Sequence, residues 1–227
     1  MEDILIDVFV GRDPEDLQNL NLYYQHRHRN VMSGKSLASI INQLTSSEEL
    51  RYALMICTEG SKSREPRVVD QQRVLQDVEV IHKQMSLAFP SYQVIFDILL
   101  RRHDSHIAQI NLYFSMRERM NLDEAVRRNV SLNQMTRNIA VHALRTATDL
   151  TYRDCMLLRD AMGANSFMGN TKDEKLGIRI CRMHWHRQHW KQIKAVYMGH
   201  MGQKFIDKCK KGKKGLFRDI VVSMAAA

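Results

Sequence analysis

Residues 94–114 read VIFDILLRRHDSHIAQINLYF, and residues 4–24, ILIDVFVGRDPEDLQNLNLYY, lie over them without a gap. Asp97 then falls on Asp7, Arg102 on Arg12, and Asn111, Leu112 and Tyr113 on Asn21, Leu22 and Tyr23. Identical polar residues at fixed offsets mark an internal repeat. Apolar positions that differ stay in register, Ile107 on Leu17, Ile110 on Leu20 and Phe114 on Tyr24, at the i, i+3, i+7 spacing of one buried helix face. A third, more divergent copy spans residues 176–197. With a one-residue shift in its middle, Ile178 and Ile180 belong to its first helix and Trp190, Ile193 and Tyr197 to its second.

Around this repeat the composition is that of an all-helical protein. The chain has 227 residues, 44% of them hydrophobic, enough to bury a sizeable core. Three prolines and ten glycines leave few turn and strand signals, while Leu, Ile, Met, Gln, Arg and Lys fill long apolar-periodic stretches. Cys57, Cys155, Cys181 and Cys209 stand singly, without the close pairing of a metal knuckle or redox motif, and are expected to be reduced thiols. No run reaches the roughly eighteen apolar residues of a membrane span, and the start, MEDILID, is acidic where a secretory signal is basic. A cytoplasmic protein, peripheral at membranes where it meets them, is the expectation.

Helix starts and breakers then divide the chain. Asp13 is an N-cap with Pro14 at the first helical position and acids facing the dipole. That helix runs to about His28, and Ser33-Gly34 precedes two more, SLASIINQL and a segment capped at Ser46 or Ser47, where Ser46 and Glu49 have capping-box spacing. Residues 59–67, EGSKSREPR, form a polar linker to a long helix carrying Val69, Val74, Val78 and Ile81 as a stripe. Residues 150–162 are the counterpart of that helix, with Asp154 and Asp77 in similar places. The expected division is 1–60, a repeat lacking its first helix; 61–85, linker and connecting helix; 86–162, a full repeat; and 163–227, a third. Units of this size cannot bury an apolar face alone, so they stack into one curved body.

The pattern resembles the annexins, whose repeat is a five-helix unit. The resemblance rests on Ile98, Leu99 and Arg102 between the first two copied helices, on the Ile-x-x-x-aromatic ending of the next, and on Arg64-Glu65 ahead of a long connecting helix. The segment AMGANSFMGNTKDEKLGIRI is similar to the start of an annexin fourth repeat, so the chain looks like repeats two to four of a four-repeat core. The resemblance implies an all-α fold of stacked five-helix repeats in a curved right-handed superhelix. It also implies calcium-dependent binding to anionic phospholipid, through a Gly-x-Gly-Thr loop whose carbonyls hold the ion and a downstream acidic side chain that completes the shell, as a hard cation requires. Here that pattern is degenerate. In the middle repeat the loop is MSLAFPSYQ and the acidic position falls near Asn129; in the first copy the acid is replaced by Gln43 or Leu44. In the last copy Met168, Gly169 and Asn170, followed by Thr171, preserve part of a calcium loop, but the acidic position is Gly212, inside CKKGKKG.

The formal net charge of +9 is concentrated at that end. Lys208, Lys210, Lys211, Lys213 and Lys214 supply direct attraction to an anionic membrane surface, the expected membrane-binding residues, each adding on the order of 1 kcal/mol near the bilayer. A solvated basic turn or a nuclear-import patch is the competing reading, and no aromatic residue interleaves the run as single-strand nucleic-acid binding would require. In HWHRQHW, His186 and His189 share a helix face and His184 does not, which favours structural histidines over metal ligands. Neither a nucleophile–base pair nor a phosphate-binding glycine loop stands out, so a non-enzyme is expected. The alternative to membrane binding is a protein-interaction scaffold, or self-association, through the helical stack.

Overall fold

The computed structural model describes residues 2–27, 37–60, 68–163, 169–212 and 215–226. All fourteen elements among them are α-helices. Residues 1–148 form one compact unit and 149–227 a second. The first holds α1 (Glu2–Phe9), α2 (Pro14–Arg27), α3 (Leu37–Leu44), α4 (Glu48–Thr58), α5 (Gln71–Ser86), α6 (Tyr92–Arg101), α7 (Asp104–Glu118), α8 (Leu122–Arg128) and α9 (Gln134–Thr148). The second holds α10 (Leu150–Ala161), α11 (Gly169–His184), α12 (Arg187–Met201), α13 (Phe205–Gly212) and α14 (Gly215–Ala226).

The quoted repeat is visible side chain by side chain. Ile6, Phe9 and Val10 on α1 and just beyond it are buried, and so are their partners in register on α6, Phe96, Leu99 and Leu100. Leu17 on α2 and Ile107 on α7 are buried likewise. Each such side chain contributes about 1.5–3 kcal/mol by leaving water, which sets the helix faces more firmly than propensity does. In the first unit α5 packs on α7, α7 and α8 on α9, and α4 on α1, α3 and α6. In the second, α10 packs on α11 and α12, and α14 on α11 and α13.

Local signals start the helices as their residues dictate. Asp13 Oδ1 accepts the Glu15 N–H at 2.8 Å, ahead of Pro14 at the head of α2. Asp70 caps α5, Ser91 caps α6 and Asp149 caps α10 through side-chain oxygens. The cap of α4 is Ser47, which accepts from the Leu50 N–H and donates to Glu49 Oε2 at 2.6 Å. Ser46, one residue earlier, instead turns to Glu2 on α1, its hydroxyl donating at 2.9 Å. Most of the 59–67 linker and the Ser33-Gly34 break lie outside the described residues.

Two acidic side chains tie each opening helix to the helices that follow it. Asp77 on α5 accepts Arg102 Nε at 2.8 Å and bonds His106 Nε2 at 2.9 Å, at the bend between α6 and α7. Asp154 on α10 bonds His189 Nε2 at 2.9 Å on α12 and accepts Arg153 Nη2 at 2.6 Å, with Arg182 of α11 at 3.8 Å. Thus α10 packs with α11 and α12 in the compact unit formed by residues 149–227.

Candidate functional site

The positions singled out by the calcium-loop pattern fall on two loops and the end of α3 in the first unit and on the ends of α11 and α13 in the second. In the first unit, residues 86–91 join α5 to α6 and residues 129–133 join α8 to α9. Ser86 closes α5 by donating to the carbonyls of His82 and Lys83 at 3.1 and 2.9 Å. The Leu87 N–H reaches the Gln84 carbonyl, and the Ser91 N–H donates to Gln84 Oε1 at 2.8 Å, so the loop is held at both ends.

Asn129, near the position at which the calcium-loop pattern expects an acid, is fully engaged by its neighbours. Its Oδ1 accepts the Ser131 N–H at 2.8 Å, and that bond fixes the amide's orientation, turning Nδ2 to donate to the Met85 carbonyl at 2.8 Å. Its own carbonyl accepts Arg137 Nη1 at 3.0 Å. At the far end of the same loop Asn133 Oδ1 caps α9 through the Thr136 N–H, and Asn133 Nδ2 donates to Glu49 of α4. The bond from Ser47 outweighs the opposing effect of burial and holds the Glu49 carboxyl below its ordinary range, with lesser help from Glu49's own backbone N–H and then from Asn133. A chain of neutral and charge-assisted hydrogen bonds therefore runs from α5 across both loops to α4 and α9.

On α13 the apolar side is Phe205 and Cys209, both buried; Phe205 meets Trp190 edge-on at 5.7 Å and Tyr197 at 5.2 Å. That packing turns Lys210 and Lys211 fully outward, leaves Lys208 half-buried, and puts exposed Lys204 just before the helix. Lys213 and Lys214 lie outside the described residues, as does Met168. Gly169 and Asn170 occupy the first turn of α11. Residues 205–212 are helical, so the first part of CKKGKKG, Cys209 to Gly212, ends a helix.

The histidines of residues 184–190 do not converge. His189 serves Asp154, His186 is the exposed N-cap of α12, and the His184 ring lies 4.4 Å from that of Trp185, itself 74% exposed. Among the described residues no group of three or more His, Cys, Asp and Glu side chains is arranged to hold a metal ion. His189 takes the place that His106 has on Asp77, and Arg153 with Arg182 takes that of Arg102. That Arg153 beside Asp154 and Arg182 of α11 stand in for Arg102 had no sequence signal.

No helix among the described residues is long and apolar enough to cross a membrane. No known protein-family model matches the sequence. The sequence is 27% identical over 198 residues to annexin C1 of Cryptococcus neoformans var. grubii, an alignment taking in 86% of this chain. The chain spans 40% of the length of that curated relative. All of this chain matches a variant of annexin A8 with a TM-score of 0.84 at 16% identity, covering 67% of that chain. It matches chicken annexin V in complex with Zn2+ with a TM-score of 0.77 at 18% identity, again over 67% of that chain. A calcium-bound annexin (Sm)1 matches with a TM-score of 0.77 at 15% identity, over 64% of its chain. The structural matches establish an annexin fold for this chain, and the sequence alignment is to an annexin as well.

Proposed function

We propose that this protein binds anionic phospholipid surfaces peripherally, with lysine charge carrying the part of the affinity that calcium bridging carries in the general family pattern. The observation that carries the reading is α13: its packed side is Phe205 and Cys209, and its outward side is Lys210 and Lys211, continued in sequence by Lys213 and Lys214. Cations on a helix face that packing forbids to turn inward remain available to lipid phosphate, with an attraction that falls off within a Debye length. The role is one of binding rather than catalysis.

Degenerate calcium sites belong to the same proposal. Calcium takes six to eight oxygen ligands. At the middle repeat an N–H of Asn129 points at the Met85 carbonyl, occupying with a donor the space in which an ion would need another acceptor, and residues 86–91 contain no glycine. These residues do not fit a calcium ion. For the last repeat, Gly212 offers no side-chain oxygen at the acidic position. A second reading, a protein-interaction scaffold, draws support from Leu112 and Met116, one turn apart on α7 and 49% and 70% exposed.

The test is co-sedimentation with phosphatidylserine vesicles, in calcium and in chelator, at low and physiological salt. Expected are calcium-independent binding that salt weakens and a large loss when Lys208, Lys210, Lys211, Lys213 and Lys214 are changed to Gln. Binding confined to calcium would overturn the site reading, and no binding in any condition would leave the scaffold reading.

A further inference from the structure

In the first unit two copies of the repeat bury their faces on each other with like helices. One copy supplies α1 and α4, the next α6 and α9; α4 packs on α6 and α9, and α1 packs on α9. Ile6 on α1 and Phe96 on α6, in register with each other, are both buried there. On α9, His142 is buried with Nδ1 3.8 Å from Asp7 Oδ1 of α1. Asn138 and Gln134 lie one and two turns before it on the same side, the Gln134 amide donating to Asn138 Oδ1 at 2.7 Å. The second unit holds a single copy, with α11 and α14 in the places of α6 and α9. Ile178 falls on Phe96 in the sequence register, yet it is 38% exposed. Val221 and Ala225 on α14 are buried at the spacing of Ile139 and Ala143 on α9, and in that register Leu216, Ile220 and Met224 fall on Gln134, Asn138 and His142. Where α9 carries two amides and a histidine, α14 therefore carries three apolar side chains along one face. Leu216 is 76% exposed, Ile220 50%, and Met224 half-buried. Apolar residues at helix-surface positions gain nothing from water and are covered at no such position on α14.

We infer that α11 and α14 are the interface of a homodimer, in which a second copy of this chain brings the same two helices and Leu216, Ile220 and Ile178 leave water. The first unit shows what such a face fits. Its two copies meet like with like, α1 and α4 against α6 and α9, so a surface of this kind is complementary to itself. Self-complementarity is what a two-fold contact between identical chains requires, and a two-fold contact closes at the dimer. The contact in the second unit is more apolar than its template. Asp97, which accepts the Tyr52 hydroxyl across the repeats at 3.1 Å, is replaced in register by Arg179, buried with its Nη1 on the Leu157 carbonyl at 2.7 Å. A like-with-like contact also sets equal charges opposite each other. Arg218, between Leu216 and Ile220 in sequence, is paired with Asp219 through Nε and Nη2 at 3.0 and 2.8 Å, so the charge beside the stripe is balanced within each copy. The inference does not rest on the membrane reading, whose lysines belong to α13 and the residues after it.

The experiment is sedimentation velocity on the full chain, in chelator and without lipid, from about 1 to about 100 µM. The unchanged protein should pass from monomer to dimer over that range and go no further. A Leu216→Glu, Ile220→Glu variant places like charges against each other across the two-fold contact and should raise the dimer dissociation constant at least about tenfold, with circular dichroism unchanged. If that variant loses helix, Leu216→Glu alone reads the interface, because its side chain is already 76% exposed and its replacement leaves the core intact. Leu75→Glu on α5, at a position as exposed as Ile220, is the control and should leave the constant unmoved. A monomer at every concentration would overturn the inference. So would a dimer indifferent to the α14 variants, or one that the Leu75 control abolishes. Assembly that keeps growing beyond the dimer would mean an open contact and would equally count against it.

Discussion

Asn129 shows how one side chain decides what a loop pair can hold. An amide presents an acceptor to the Ser131 N–H and a donor to the Met85 carbonyl, and both are used. Asn129→Ala leaves both groups without a protein partner and should cost about 1–2 kcal/mol, read as a lowered Tm. Asn129→Asp keeps the Ser131 contact but sets a second carboxylate oxygen against the carbonyl oxygen. That variant should also melt earlier, and added calcium should recover part of the loss while leaving the unchanged protein's Tm unmoved. Equal melting of all three proteins would mean that the bond contributes nothing. The same chemistry of donor and acceptor explains His189, which a run of three histidines and two tryptophans invites one to read as a metal site. Asp154 on another helix uses it as a hydrogen-bond partner.

At the scale of the element, α7 and α12 end in the same backbone conformation with different residues. Arg119 closes α7 at φ 53°, the only non-glycine residue at positive φ among those described, and Gly202 closes α12 at φ 64°. A left-handed cap is free for glycine and strained for a side chain with a Cβ. Arg119→Gly is therefore expected to raise stability by about 1 kcal/mol, and Gly202→Ala to lower it by about the same amount. Nothing lies within 4 Å of a Cβ added at Gly202, so the second effect isolates backbone strain from crowding. Urea denaturation of the pair of variants checks both signs. The opening helices obey a similar logic: α5 and α10 each carry one buried aspartate, and the arginine and histidine that answer it lie mainly on later helices. Those bonds, with apolar packing, assign each opening helix to the repeat that follows.

For the whole molecule, the thiols report on the two units separately. Cys155 and Cys209 are fully buried in the second unit's core, Cys57 is half-buried in the first, and Cys181 is exposed. At neutral pH Cys181 should alkylate at once, and Cys155 and Cys209 only at the urea concentration that opens residues 149–227. Burial pushes the Cys155 thiol up to about 11 from an ordinary value of 9.0. It raises the Tyr197 phenol as well, in the same core. For an acid whose folded value is raised, the stabilising contribution is complete below the unfolded value and disappears as pH climbs through the folded one. Urea midpoints of the second unit, followed by Trp190 fluorescence, should therefore fall between about pH 8 and about pH 11. A midpoint constant across that range would show that neither group is desolvated as its burial requires.

The sequence by itself determined the all-helical class, the register of the two clear copies and the annexin likeness. Those properties follow from periodicity: an apolar residue every third or fourth position, with identical polar residues ninety positions on, leaves one way to bury the faces. It also located where the calcium-loop pattern of the resemblance lacks a glycine or an acid, because that is a property of a single position. Tertiary structure decided what fills those loops. The Asn129 to Met85 bond joins residues 44 apart in sequence, and Asp154 meets His189 across 35. Exposure of Phe89 and Val130 was equally hidden, since Phe96 and Val74, of the same residue types, are core. Helix periodicity is a local property that can be read along one strand of text; the partner of a polar side chain and the side of a loop that faces water depend on which distant segments packing brings together.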